Sequence, residues 1–164
     1  QMPSGYQEVM EERQQERIRK GKKKETREGI SYSYRLLLSW LIEEPKLFVQ
    51  IREWVKPEDF EEGLYRTVAK ELYDQLDRGD LEPARIIGHF EEVEDQNKVA
   101  SMFQTSFGSK IENDEKKKAI TDLILKIKEH SIERQAGQIT DLNELQKLVQ
   151  QKKMLQGAVN LHIS

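Results

Sequence analysis

Apolar positions along this chain recur mostly at helical spacing, and their densest cluster runs from Leu36 to Phe60, LLLSWLIEEPKLFVQIREWVKPEDF. Leu36, Leu37, Trp40 and Leu41 fall at the i, i+1, i+4, i+5 spacing of one helical face. Pro45 interrupts the run, because proline disfavours helical geometry in the residue before it. It can still open the next helix, where the N–H it lacks has no intrahelical partner. Leu47, Phe48, Ile51, Trp54 and Val55 repeat the spacing until Lys56 and Pro57 stop it. Two short helices with a proline-marked corner are predicted, and both tryptophans lie in them.

The remaining pattern is also helical. Glu61 to Arg78 predicts an amphipathic helix with Leu64, Tyr65, Val68, Ala69, Leu72, Tyr73 and Leu76 on one stripe. Gly79 follows its end, where the left-handed conformation favours glycine. Asp80 is read as the cap of a short helix from Glu82 to Phe90, and Glu94 to Phe107 as a further helix closed by Gly108 and Ser109. From Asn113 to about Gly137 a long polar helix carries a narrow seam of Ile120, Leu123, Ile124, Ile127 and Ser131. Thr140 is read as the cap of a last helix with Leu142, Leu145, Leu148, Val149 and Leu155, ending near Gly157. The near-heptad seams pair these two as an antiparallel αα-hairpin. The expected fold class is all-α, with a polar, basic linker or helical extension at 1–29, a compact helical bundle at 30–110 and a protruding C-terminal helical hairpin at 111–164. Residues 109–119 read either as a hinge or as part of one continuous helix.

Composition sharpens this picture. Apolar residues make up 36% and charged residues 35% of 164 positions, against about 45–50% and about 25% in an average domain. That balance suits helices with one solvated face. Cysteine is absent, which removes disulfide and thiol chemistry and agrees with a cytoplasmic protein. No run approaches the roughly 20 apolar residues that span a bilayer, and the N-terminus lacks the apolar core of a signal peptide. Gln1 in place of Met suggests one domain of a longer chain.

The net charge of −3 is small, but its distribution is uneven. Between Arg17 and Glu28 seven bases face two acids, whereas Ser31 to Lys110 carries 10 basic and 16 acidic residues. The basic run admits two readings, contact with nucleic-acid phosphates or a solvated linker. The linker is favoured, since no aromatics are interleaved to stack on bases. His89, His130 and His162 lack the spacing of a zinc-binding helix and are read as surface or packing residues. Acid pairs such as Glu61-Glu62 and Glu91-Glu92 are read as solvated faces. No phosphate loop or serine elbow is present. Catalytic, metal and cofactor residues are therefore expected to be none. Tyr32 and Tyr34 are read as a staple, one packed and one half-exposed.

The run LLLSWLIEEPKLFVQI…VKPEDFEEGLYRTVAKELYDQLDRG, followed by PARIIGHFEEVEDQNKVASMF, resembles the C-terminal helicase-binding domain of bacterial DnaG-type primases. The Pro45 corner, the Pro57-Glu58-Asp59-Phe60 turn, the Tyr65-containing helix ending at Gly79 and the Pro83-Ala84-Arg85-Ile86 helix carry the resemblance, which extends over Ile30 to Gly157. It implies a non-enzymatic bundle and hairpin, the hairpin docking on the N-terminal domains of the hexameric DnaB-type replicative helicase. Zinc binding and RNA synthesis would belong to domains upstream, and the basic stretch would be the linker to them. The helicase's own N-terminal domain shares this kind of fold, and ranks lower because no ATPase linker follows. The expected partner surface is the outer end of the hairpin: Leu148 and Leu155 for buried area, Arg134, Lys152 and Lys153 for orientation. The alternative is a nucleic-acid-binding helical domain acting through residues 17–27. Oligomeric state stays open, a dimer swapped through the hairpin being one outcome.

Overall fold

In a computed structural model, residues 29–105, 111–139 and 141–163 are described. They form an all-α bundle. Residues 29–32 are helical. The unit from Ser33 onward is built around its first helix, α1 (residues 33–43). Tyr34, Leu36, Leu37, Leu38, Trp40 and Leu41 are all buried, with Ser33 and Ser39, and these positions cover most of the helix circumference rather than one stripe, leaving Arg35 and Ile42 half-buried on the remaining side. Burial this wide marks a helix packed against several others. The pattern of Leu36, Leu37, Trp40 and Leu41 showed one of its buried faces and understated the rest.

A 3-10 turn at Pro45–Leu47 leads into α2 (Phe48–Ile51), which anchors Leu47, Phe48 and Ile51 in the core. The corner therefore falls at Pro45, as expected, but the second helix is a short one, continued only by turns to a buried Val55. A second 3-10 turn, Pro57–Asp59, precedes α3 (Leu64–Arg78). Tyr34 of α1 packs its ring against Phe60 and Tyr65, with centroids 4.9 and 5.2 Å apart. Tyr32 remains nearly half exposed.

Gly79 ends α3 in the left-handed conformation, φ 69°, and the amide of Asp80 donates to the Gln75 carbonyl at 2.9 Å. That is the closing bond of a Schellman motif. Gln75 is itself buried, and its side-chain amide pairs with both the N–H and the C=O of Glu82, at 2.9 and 3.1 Å. The loop into α4 (Pro83–Gly88) is thus held by Gln75, and no side chain caps α4, Asp80 included. Asp80 instead pairs with Arg85 at 3.2 Å. Helix α5 (Val93–Phe103) closes on α1 through the Ser39 hydroxyl, which donates to the Met102 carbonyl at 2.5 Å. Phe107, Gly108 and Ser109 lie outside the described residues.

Helices α6 (Asn113–Ala136) and α7 (Leu142–Ala158) form the antiparallel hairpin. At 24 residues, α6 is about 36 Å long. The expected cap, Thr140, lies outside the described residues. The N-cap of α7 is Asp141, whose carboxylate accepts from the amide of Asn143 at 2.9 Å.

Candidate functional site

The hairpin does not protrude from the bundle, because α6 is bound to it along its length. Ile120, Leu123, Ile124, Ile127, Ser131 and Ile132 are buried. Near its start, Lys116 pairs with Glu44 at the end of α1. Further along, the carboxylate of Asp59 collects a set of donors. It accepts from the backbone amide of Lys56 at 2.8 Å, from the Ser131 hydroxyl at 2.8 Å and from the Lys128 ammonium at 3.2 Å to each oxygen. The first of these is the returning half of a capping box; the other two fasten α6 to the turn. Arg66 from α3 and Arg134 from α6 converge on the carbonyls of Glu58 and Phe60 that the turn leaves open.

This geometry brings the five expected partner-binding residues into different surroundings. Arg134 faces inward, donating to the carbonyl of Glu58 at 3.2 Å. Leu155 is 5% exposed and closes the seam between the two arms. Leu148 is half-buried in that seam. Lys152 is tied to Glu133 on α6 at 2.7 Å, and that carboxylate raises the lysine's pKa. Lys153 alone of the five is fully on the solvent side.

The apolar surface that α7 leaves open comes from Met154, which is exposed on its own, and from two residues assigned to the seam. Leu142 is 67% exposed and Val149 47%. Seven positions separate them, so they share a face, with Lys153 one turn beyond Val149 on the same side. From Leu142 to Ala158 the helix carries Lys147, Lys152 and Lys153 against a single acid, Glu144. The exposed face is therefore an apolar stripe with a cationic edge, resting on a helix pair braced against the bundle. Such a face suits an amphipathic helical partner with acidic flanks.

Among the described residues no group of His, Asp and Glu is placed to hold a metal ion. No helix there is long and apolar enough to cross a membrane. His89 sits 2.8 Å from Glu71 at the surface, and His130 of α6 sits 3.6 Å from Glu61. The basic run from Arg17 to Arg27 lies outside the described residues. Compared with protein-family models, curated proteins and solved structures, the chain has no match.

Proposed function

We propose that this chain is a docking module of a bacterial DnaG-type primase, binding the N-terminal domains of a DnaB-type helicase and coupling primer synthesis to unwinding. The resemblance over Ile30 to Gly157 supplies the identity of the partner. The observation that carries the docking role is the open face of α7, where Leu142 and Val149 lie exposed beside Lys153. The bundle's part is to hold α6, through the Asp59 cluster, so that α7 is presented in one orientation. A preorganised face loses little conformational freedom on binding.

The module contributes no chemistry in this reading; catalysis resides in the upstream domains of the resembled protein. The experiment is comigration of the chain with a DnaB-type helicase on a sizing column at micromolar concentration. The unaltered chain comigrates, and Val149→Asp and Leu142→Asp, which place a charge on the open face, do not. Comigration that survives both changes would show that the partner lies on another surface, and failure of the unaltered chain would remove the reading altogether.

A further inference from the structure

After α7 the chain does not simply end. Val159 leaves the helix with extended backbone, φ −73° and ψ 115°, and residues 159–163 run as an irregular extended tail. Their burial alternates: Val159 and Ile163 are half-buried, Leu161 is 2% exposed, and Asn160 and His162 face solvent. That period of two is the signature of an extended peptide laid on a surface. The surface is α2. The side-chain amide of Gln50 donates to the carbonyl of His162 at 2.6 Å, and its oxygen accepts from the amide of His162 at 2.6 Å. One glutamine thus offers the paired donor and acceptor that a neighbouring strand would offer.

The same device occurs at Gln75 and Glu82, but there it is part-buried and joins α3 to the loop seven residues on. At Gln50 it is exposed and joins residues 112 apart. Solvent competes for exposed hydrogen bonds, so they hold weakly. Leu161 is the tail's single fully buried side chain. On its other side the tail borders α6: Leu161, His162 and Ile163 face Asn113, Asp114 and Lys117 across an open depression of about 260 Å³, and Val49, beside Gln50, stays exposed.

We propose that the surface at Gln50 is a receptor for extended peptides with apolar residues at alternate positions, and that the chain's own residues 159–163 are its resident, displaceable ligand. Main-chain hydrogen bonds to Gln50 supply affinity for any extended backbone, while the Leu161 position selects the side chain. The tail wins at rest because it is tethered, which places it at an effective concentration of the order of millimolar. This inference does not depend on the helicase reading.

The probe is a blocked peptide copying residues 158–164, titrated into the full chain while the Gln50 side-chain amide is followed by nuclear magnetic resonance. In the Leu161→Asp chain the resident tail is weakened, and the peptide returns the Gln50 signals toward their unmutated positions. The same peptide with Asp in place of its leucine does not. In the unmutated chain, where the peptide and the tail give Gln50 the same surroundings, binding is read from the signals of an isotope-labelled peptide, and at least about tenfold more protein is required, since the tethered tail competes; this arm does not rely on the variant folding. Gln50 signals unmoved by the peptide in the Leu161→Asp chain, together with no binding of the labelled peptide to the unmutated chain, would overturn the proposal. Equal response to both peptides would also overturn it, because the surface would then have no side-chain selectivity.

Discussion

At Asp59 a carboxylate only 5% exposed meets a lysine, a serine and a backbone amide drawn from two separated parts of the sequence. A buried charge is tolerated only when its partners replace water, and removing the acid strands the buried cation. Asp59→Ala is therefore expected to cost about 3–5 kcal/mol in urea unfolding, with Asp59→Asn losing less because it can still accept from Ser131. Equal stability of Asp59→Ala and the unaltered chain would mean that α6 is held by its aliphatic seam alone. Tyr73 gives a second residue-scale prediction. Its buried hydroxyl donates to the Val55 carbonyl at 2.7 Å, and burial, then the charges of Asp59 and Glu58, push its pKa well above the ordinary 10.0. The native state thus holds this proton more tightly than the unfolded chain does. Its contribution is complete below about pH 10 and is lost progressively above it. Tyr73→Phe should lose about 1 kcal/mol at neutral pH and show a shallower decline in stability in alkali. Some decline remains, because burial also raises the pKa of Tyr34. An unchanged alkaline slope would place the sensitivity elsewhere.

At the scale of elements, periodicity carried most of the bundle. The ranges expected for α3 and α6 agree with the observed helices to within a few residues, because each keeps its apolar residues at helical spacing and ends at a punctuating glycine, Gly79 or Gly137; the expected start of α5 agrees as well. What the pattern did not reveal was direction. In α7 the residues Leu142, Leu145, Leu148, Val149 and Leu155 form a stripe wider than α6 can cover. Packing buries Leu155, half-covers Leu145 and Leu148, and leaves Leu142 and Val149 outside. A sequence shows the width of such a stripe but not which edge meets its neighbour. The Asp59 cluster was equally hidden, since Asp59 and Ser131 look like ordinary turn and seam residues until the chain folds back 72 positions. Because α7 is so thinly buried, its cap matters more than most. Asp141→Ala should cost about 1 kcal/mol, measured as lost helicity and faster amide exchange at the start of α7, with α3 unaffected. Exchange unchanged in α7 would show that the cap bond is not what starts the helix.

For the molecule as a whole, the proposed docking role assigns holding and reaching to different parts of the chain. Trp40 lies buried in α1, and Trp40→Ala should remove about 3–5 kcal/mol of stability by leaving a cavity that the surrounding side chains only partly fill. Its effect on docking should then follow the fraction unfolded, and should vanish at a temperature where the variant is still fully native. Val149→Asp on the open face of α7 should do the reverse, changing stability by no more than about 0.5 kcal/mol while abolishing comigration with the helicase. The pair is informative because the two residues lie in the same unit and differ in what surrounds them. If Trp40→Ala weakened docking with the chain fully folded, the bundle itself would be in contact with the partner, and α7 would be one part of a broader surface. If Val149→Asp lowered stability by several kcal/mol, the stripe would be covered in solution, which the dependence of the chain's sedimentation on its concentration would reveal.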